Sequence, residues 1–392
     1  MEKQNNLKNV YLLGIVSFLN DLSSEMIAPV LPVFINLLGG GGIALGLVGG
    51  LRQALSSVLK LFSGYFSDKF KKRKIFVYLG YGISGIFKIL LGFSNNITQV
   101  ITASSLERIG KGLRTAPRDA IISESLPEKQ GKAFGLHRAF DTFGATLGVF
   151  VALFLLWHFQ KVNSLSLIKK IIIFAGFISL SSLIPLFFVK EKTKKDSEKK
   201  SQSLKIAFKS LDRRLKIYLI SVALFSLAEF SYMFFVLRGQ NVFSQKFVII
   251  GPTLLYLIFN LSYALFSYPF GLLADKVGKK KVILFGYLIF ALVSFFFFVP
   301  FKKYSLVLYI FLFVLYGLSY AIIDANQRAY MGDTAPKELI ATAQGSLQLT
   351  IGIFGGLGNL IAGFLWNISN SLPFAFASLF ALFSAFLFWQ VK

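Results

Sequence analysis

The sequence contains no cysteine and few acidic residues, and both shortages restrict what the protein can be. None of the 392 residues is a cysteine, so disulfides and thiolate metal sites are excluded. Charged residues make up 15% of the chain, well below the roughly one quarter that is usual in soluble domains. Only 18 residues are acidic. Carboxylates are therefore scarce, and each one inside an apolar stretch needs an explanation.

Hydrophobic residues dominate instead and recur in long runs. They form 55% of the sequence, and the mean hydropathy is +0.65. Runs of about 20 apolar residues are long enough to cross roughly 30 Å of hydrocarbon as helices. We therefore predict an all-α polytopic membrane protein with twelve transmembrane helices. The predicted spans are 10–36, 43–67, 75–93, 97–120, 133–158, 167–189, 215–238, 247–274, 282–300, 304–330, 338–366 and 372–390.

The positive charge is distributed unevenly between the connecting loops. The formal net charge is +24, and lysine and arginine crowd into the connections after even-numbered spans, such as 69–74, 190–216 and 276–281. The first two outer loops, "LGGGGIA" and "FSNNITQ", carry none. The positive-inside rule then predicts an inner-membrane protein with both termini and the basic loops in the cytoplasm, touching anionic lipid. Nucleic acid is not an expected partner.

One long polar segment interrupts the apolar pattern. It predicts an N-terminal six-helix half at 1–189, a basic cytoplasmic linker at 190–214 and a C-terminal six-helix half at 215–392. The linker's composition also suits a regulatory site.

The two halves carry the same short motifs. "GYFSDKFKKRK" (64–74) returns as "GLLADKVGKKK" (271–281), after the second and the eighth span. "RDAIISESLPEKQGKAFG" (118–135) is echoed by "QRAYMGDTAPKELIATAQG" (327–345). Two six-helix halves related by a parallel repeat form one of the known transporter architectures.

These motifs resemble the major facilitator superfamily (MFS), and the resemblance covers nearly the whole chain. "GYFSDKFKKRK" is similar to the superfamily's signature between helices 2 and 3. The resemblance implies the MFS fold and a gating network of glycine, helix-terminal aspartate and cations. The matching residues are Gly64, Asp68, Lys69, Lys72 and Arg73 in the first copy, and Gly271, Asp275 and Lys276 in the second. Such contacts can form in one packing and break in another, although cations alone would also set topology.

Helix 1 carries two acidic residues deep inside an apolar run. Asp21 and Glu25 lie four residues apart and therefore share one face. At 1.5 Å per residue they are roughly 16 Å and 22 Å into the span, and Arg52 of helix 2 is at nearly the same level. Ionisable groups at this depth usually face a bundle interior and mark proton or substrate pathways. Structural ion pairing is the alternative.

Helix 4 carries a second group of deep charges. Glu107, Arg108 and Lys111 lie roughly 15–21 Å from its outer end. Arg108 with Gly112 resembles the superfamily's helix 4 motif, in which the arginine is linked to proton transfer. Lys88 of helix 3 is a further deep cation, and its role is open between structure and function.

The remaining candidate residues are divided between the two halves. Glu229 in helix 7 falls close to the counterpart of Asp21, and we count it with the proton carriers. In helix 5, Arg138 and Asp141 are three apart, a spacing that suits a local salt bridge or a gate. Asp324 and Arg328 lie toward the inner end of helix 10 and suit a gate as well as a site. His137 is one of only two histidines and a secondary candidate for a proton or metal role.

Small and aromatic residues have simpler expected roles. Gly144 and Gly148 in helix 5, and Gly352, Gly355, Gly356 and Gly363 in helix 11, predict close helix contacts. The 45 phenylalanines are expected to face lipid or fill the core.

These features predict a secondary transporter that works by alternating access. No phosphate-binding glycine loop occurs, so a proton gradient is the expected energy source, and no cofactor or resident metal is expected. "SFLNDLSSEM", "RIGKGLRTAPRDA" and "HRAFDTFG" together resemble a bacterial branch that includes exporters of nickel and of iron–citrate. The leading hypothesis is proton-coupled export of a small organic anion, metal chelate or drug-like compound by a monomer.

Two alternatives remain open at this point. The chain could import a small organic solute, or it could be a non-transporting membrane sensor on the same fold. An enzyme is not expected, because no nucleophile–base or metal-ligand pattern stands out.

Overall fold

The computed structural model of the chain consists of long helices joined by short connections. It describes residues 2–70, 72–126, 130–191, 213–244, 247–299, 306–336 and 340–391. The predicted linker at 190–214 lies outside the described residues except at its two ends.

The helices follow one another through both halves of the chain. The first eight are α1 (Glu2–Ile27), α2 (Leu31–Leu37), α3 (Gly42–Phe70), α4 (Arg73–Gly92), α5 (Ile97–Ser125), α6 (Gln130–His158), α7 (Ser164–Ser181) and α8 (Leu183–Phe187). The remaining ones are α9 (Arg213–Ala228), α10 (Tyr232–Gln240), α11 (Ile250–Val277), α12 (Lys279–Phe298), α13 (Leu306–Thr334), α14 (Ile340–Ile368) and α15 (Leu372–Trp389).

The described residues contain eleven stretches long and apolar enough to cross a membrane. Helix α5 has 29 residues and is therefore also long enough, but several charged side chains make it less apolar than the others. With α5 the count reaches the predicted twelve. The prediction of an all-α polytopic membrane protein is confirmed.

Three of the spans are built from two helices each. Span 1 is α1 plus α2, and Pro29 lies in the turn between them, where its missing N–H and its ring prevent a continuous helix. Span 6 is α7 plus the short α8. Span 7 is α9 plus α10, separated by residues 229–231. Ser231 begins α10 by accepting a hydrogen bond from the Met233 amide at 3.3 Å. This last break leaves Glu229 outside the regular helix.

The contacts between helices divide the chain into two compact units. The first comprises Met1–Gly40 and Leu55–Glu198, and the second comprises Gly41–Ala54 and Lys199–Lys392. Most of each predicted half thus falls in one unit, but the first turns of α3 group with the second unit. The predicted domain boundaries themselves stay a prediction.

Each unit pairs its helices in the same pattern. In the first unit, α1 packs on α6 and α7, and α4 packs on α5 and α7. In the second, α9 packs on α14 and α15, and α12 packs on α13 and α15. Counted by span, these are the same four pairs in each half. The repeated motifs in the sequence therefore correspond to a repeated tertiary arrangement.

A glycine contact recurs at matching places in the two units. A Cβ added to Gly148 of α6 would overlap the carbonyl oxygen of Leu22 in α1. A Cβ added to Gly358 of α14 would overlap the carbonyl oxygen of Leu227 in α9 in the same way. The predicted close contact at Gly148 is confirmed, and its counterpart shows that the repeat extends to backbone-to-backbone packing.

The first turns of α3 lie against α14 within the second unit. The Gly42 amide donates to Asn367 Oδ1 at 2.8 Å. A Cβ on Gly42 or Gly363 would meet the other residue's carbonyl or backbone, and Gly49 lies against the Asn359 side chain. The predicted close contact at Gly363 is confirmed. This seam leaves no space for larger side chains.

Candidate functional site

A buried lysine occupies the centre of the first unit. Lys88 of α4 is 2% exposed, and its ammonium reaches five oxygens. The partners are the Asn20 carbonyl at 3.3 Å, Asn20 Oδ1 at 3.4 Å, Ser23 Oγ at 3.1 Å, Ser24 Oγ at 2.9 Å and Ser179 Oγ at 3.3 Å. None of these partners is a carboxylate. Neutral oxygens therefore replace water around this charge.

Helix geometry explains how these oxygens meet one ammonium. Asn20, Ser23 and Ser24 are at i, i+3 and i+4 of α1, so they share the face that packs toward α7. Ser179 lies on α7, and Lys88 comes from α4, which also packs on α7. The lysine thus bonds the three helices together, and no pattern in the sequence predicted its partners.

The predicted cluster on α5 is present, and two of its three members pair with each other. Arg108 Nε lies 3.0 Å from Glu107 Oε2, and the Glu107 side chain is almost fully buried. Arg114, further along the helix, donates to Ser84 Oγ at 2.6 Å and places its guanidinium 4.3 Å from the ring centre of Tyr81. This geometry is a cation–π contact.

A chain of hydrogen bonds joins four helices beside that cluster. Ser17 Oγ of α1 lies 2.8 Å from His137 Nε2 of α6 and 3.2 Å from the Tyr81 hydroxyl of α4. Arg118 of α5 donates to the same Ser17 oxygen at 3.0 Å. On its other side, His137 Nδ1 is 3.5 Å from Asp141 Oδ2. Ser17 is 1% exposed and His137 is 4% exposed.

The acidic residues of α1 lie near this chain. Asp21 is half-buried, accepts a long hydrogen bond from Asn20 Nδ2 at 3.4 Å, and interacts electrostatically with Asp141 and with Lys111. Glu25 is half-buried one turn further along the same face. The structure therefore places several predicted site residues of α1, α5 and α6 near one another.

Two predicted members of this group are placed differently. Arg138 is exposed on α6, although its neighbour His137 is buried. Arg52 is half-buried in α3 and belongs to the second unit. The predicted proximity of Arg52 to Asp21 and Glu25 stays a prediction.

Glu229 has very different surroundings in the second unit. The break between α9 and α10 exposes its side chain to tyrosines, and the Tyr320 hydroxyl of α13 donates to its carboxylate. Its charged neighbour is Asp324, which repels it. Asp324 itself accepts from the Tyr263 hydroxyl at 3.1 Å and pairs with Arg328.

Aromatic rings from three spans form a row that includes Tyr320, the hydrogen-bond partner of Glu229. Ring centres are 4.8 Å apart between Tyr232 and Tyr256, 5.8 Å between Tyr256 and Phe259, and 5.5 Å between Phe259 and Tyr320. Tyr263 lies 6.0 Å from Tyr320 and completes the row. The sequence did not predict this row, because its members are distant from one another along the chain.

Each copy of the signature motif contributes an ion pair at the start of the helix that follows it. Arg73, which begins α4, contacts Glu124 Oε2 at 2.5 Å. Lys279, which begins α12, pairs with Asp333 and lies 3.5 Å from Asp275. Glu124 and Asp333 were missed as candidates, yet each precedes a proline by three residues in the second repeated motif, "ESLP" and "DTAP".

The other motif residues are mostly at the surface. Lys69, Lys72 and Lys276 are exposed, and the side chain of Asp68 lies outside what the structure describes. A Cβ on Gly64 would come within 3.3 Å of the Ala116 side chain, whereas the space beside Gly271 is open.

Known proteins support the assignment that the fold suggests. The profile of the Major Facilitator Superfamily matches residues 13–254 and 248–392, so the chain belongs to that superfamily. An uncharacterized MFS-type transporter of Methanocaldococcus jannaschii is 46% identical over 383 residues, covering 97% of this chain and 94% of that protein. Multidrug resistance protein MdtG of Proteus mirabilis is 26% identical over 302 residues, covering 73% and 72%.

Solved structures of low sequence identity share the fold. The nucleoside transporter NupG has a TM-score of 0.79 at 17% identity and covers 98% of each chain. A bacterial homologue of the human lysosomal transporter Spinster, in an inward-facing and occupied conformation, has a TM-score of 0.76 at 14% identity and covers 97% of this chain and 96% of that one. As a member of the Major Facilitator Superfamily, the chain is a multi-pass membrane transporter of small molecules and not an enzyme.

Proposed function

We propose that this protein is a proton-coupled exporter of a small solute that works by alternating access. It lies in the inner membrane with both termini in the cytoplasm. The hydrogen-bonded chain from Arg118 through Ser17 to His137, whose Nδ1 lies 3.5 Å from Asp141 Oδ2, carries the proposal. Proton coupling requires buried groups that can hold a proton in more than one arrangement, and this chain meets that requirement.

The donors and acceptors along these hydrogen bonds allow two protonation states. Arg118 can only donate, so the Ser17 oxygen accepts from it and has one hydrogen of its own to give. With a neutral imidazole protonated on Nδ1, Ser17 donates to His137 Nε2 and Nδ1–H points at Asp141. With an imidazolium, Nε2–H donates to Ser17, whose hydrogen turns to Tyr81. Both states are satisfied without movement of heavy atoms.

The carboxylates beside the chain give the proton a place to go. Asp141 Oδ1 is buried and has no hydrogen-bond partner among the described residues, which disfavours the ionised carboxylate and so favours uptake of a proton. Asp21 and Asp141 repel each other when both are ionised. Two neighbouring carboxylates favour sharing one proton. We assign Asp21, Glu25 and Glu229 as carriers, with Asp141 and His137 as the relay between Asp21 and the rest of the chain.

The ion pairs at the helix ends suit the conformational part of the cycle. The Arg73–Glu124 and Lys279–Asp333 pairs each join a basic residue at the start of one helix to an acid near the end of another. They can break and re-form as each unit changes its packing. Together with the motif residues they form the gating network of this proposal.

The substrate is an organic anion, a metal chelate or a drug-like compound. The relative named multidrug resistance protein MdtG supports the drug-like class. An organic anion is less well supported as the substrate. Lys88, Arg108 and Arg118 of the first unit already contact oxygen atoms of the protein, so they are less suited to binding an anion.

Transport into inside-out membrane vesicles tests coupling and direction together. Ethidium, citrate and ferric citrate represent the three substrate classes. An acidic lumen should drive accumulation of the transported compound, and a protonophore should abolish it. If the compound instead leaves the vesicles down an acid gradient, the protein is a proton-coupled importer. A gradient without effect on any compound would contradict the proposal.

Substitution of the two histidines tests the relay itself. His137→Gln should abolish gradient-driven accumulation but keep exchange of substrate in the absence of a gradient, because only the proton path is removed. His158→Gln is the matched control on the same helix, where the side chain is exposed. Equal accumulation by both variants would show that His137 has no part in coupling. Asp21→Asn and Glu25→Gln test the carriers in the same assay.

A further inference from the structure

We propose that Glu229 and the tyrosines around it bind a lipophilic organic cation. In this site the carboxylate pairs with the positive charge, and the rings cover the apolar part. The inference narrows the substrate class of the proposed transporter and rests on that function for its physiological meaning. The binding itself needs only the second unit.

The position of Glu229 is the first argument. It follows the last residue of α9, and α10 does not begin until Tyr232. The Glu229 amide still bonds to the Phe225 carbonyl at 2.8 Å, so the backbone is anchored while the side chain leaves the helix face. Ser231 is held by Asn359, whose Oδ1 accepts from its amide at 2.8 Å. Breaks of this kind in membrane-spanning helices are typical of binding sites.

The charge balance around Glu229 is the second argument. Within the residues that the structure describes, no lysine or arginine forms an ion pair with it. Asp324 adds a further negative charge nearby, and Arg328 already pairs with Asp324. A carboxylate without a counter-ion in this environment is costly. It therefore needs either a proton or a positively charged ligand.

The aromatic row decides what kind of cation fits. Tyr232, Tyr263 and Tyr320 are half-buried, so part of each side chain is not covered by other residues of the protein, and the buried Phe259 packs against the row. Aromatic faces attract cations and cover apolar groups, which suits a charge on an apolar body. The described residues contain no group of three potential metal ligands, and an anion would be repelled by both acids. An organic cation satisfies the carboxylate and the rings together.

The described residues of the first unit do not repeat this arrangement. Asp21, whose sequence counterpart falls close to Glu229, interacts with Lys111 and Asp141 rather than with a row of tyrosines. The arrangement of an acid beside a row of tyrosines is therefore described for the second unit and not for the first.

Equilibrium binding of radiolabelled tetraphenylphosphonium to the full-length protein in nanodiscs tests the site without any gradient. Tetraphenylborate, which has the same shape and the opposite charge, should neither bind nor displace it. Glu229→Gln keeps the size of the side chain and should weaken tetraphenylphosphonium binding by roughly tenfold or more, because it removes the charge. Wild-type affinity in Glu229→Gln would overturn the proposal, as would equal binding of tetraphenylborate.

Variants of the tyrosines separate the rings from the carboxylate. Tyr320→Leu removes a ring and should weaken binding by roughly tenfold, whereas Tyr320→Phe keeps the ring and should change it by less than about threefold. Tyr268→Leu is the control, since Tyr268 is 74% exposed on α11 and lies outside the row. Equal affinities of Tyr320→Leu and Tyr268→Leu would also overturn the proposal.

The binding assay and the vesicle assay can fail independently. Tetraphenylphosphonium binding that depends on Glu229, without gradient-driven transport, would contradict the proposed function and keep the site. Gradient-driven transport, together with tetraphenylphosphonium binding that is unchanged in the Glu229 and Tyr320 variants, would contradict the site and remain consistent with the proposed function.

Discussion

The two units pair the same helices but fill their interiors with different chemistry. In the first unit, Lys88 lies among five neutral oxygens, and Arg118, Ser17 and His137 form a buried polar chain. In the second, rings occupy the corresponding space. Phe225 stacks on Tyr287 with centres 4.1 Å apart and planes at 9°, and it meets Phe290 edge-on at 5.2 Å.

This difference shows that a repeated fold does not require a repeated interior. Backbone contacts such as Leu22–Gly148 and Leu227–Gly358 set the helix pairs in both units. The side chains beyond those contacts are then free to differ. In the proposed cycle, the polar interior of the first unit suits proton movement, and the aromatic interior of the second suits ligand binding.

The largest expected effect on stability comes from the glycine-to-carbonyl contact that occurs once inside each unit. Gly148→Ala and Gly358→Ala should each lower the free energy of unfolding by about 3 kcal/mol, because the added Cβ meets a backbone carbonyl that cannot move alone. Thermal unfolding of the purified protein in detergent measures the change.

The control for these variants lies on the same helix as Gly358. Nothing lies within 4 Å of a Cβ added to Gly345, so Gly345→Ala should leave stability unchanged or raise it by up to about 1 kcal/mol. A similar loss in all three variants would show that the close backbone contacts are not the cause. Lower stability of Gly148→Ala alone would show that the Leu22–Gly148 and Leu227–Gly358 contacts are not equivalent.

A smaller effect is expected where the interior of the first unit is polar. Lys88→Met keeps the length of the side chain and removes the ammonium, which leaves buried serine and asparagine oxygens without their donor. The free energy of unfolding should fall by about 2 kcal/mol. Lys170→Met, at an exposed position of α7, should change it by no more than about 0.5 kcal/mol. Equal stability of Lys88→Met and the wild type would mean that the cost of burying the ammonium offsets its hydrogen bonds.

The smallest effect is expected where the interior of the second unit is aromatic. Phe225→Leu keeps an apolar side chain and removes the stacked ring, so the free energy of unfolding should fall by about 1 kcal/mol. Phe386→Leu on α15, where the ring is 54% exposed, is the control. If Phe225→Leu lowered the free energy of unfolding more than Lys88→Met, the aromatic contacts of the second unit would contribute more stability than the hydrogen bonds of the first, contrary to this prediction.

Much of the fold was predictable because its signals are local in the sequence. A run of about 20 apolar residues specifies a span by itself, and the twelve-span prediction required no knowledge of packing. The repeated motifs predicted two related halves. The matching pairs Arg73–Glu124 and Lys279–Asp333 lie within those motifs, although the acids were not singled out.

The site was less predictable because its partners are distant in the sequence. The depth of Asp21, Glu107 and Arg108 could be counted along their own helices. Depth does not reveal which residue faces which, so the Ser17–His137–Asp141 chain was missed and His137 was only a weaker candidate. The tyrosines near Glu229 were harder still, since aromatic residues are common throughout the chain.

The sequence by itself determined that this is a polytopic membrane protein of two related halves, with rare acids buried in its spans. It did so because hydrocarbon imposes length and apolarity on each span separately. Only the tertiary structure decided that Lys88 is enclosed by neutral oxygens, and that Glu229 faces tyrosines while Asp21 faces other charges. Those environments arise where three or four helices meet, and no single helix contains that information.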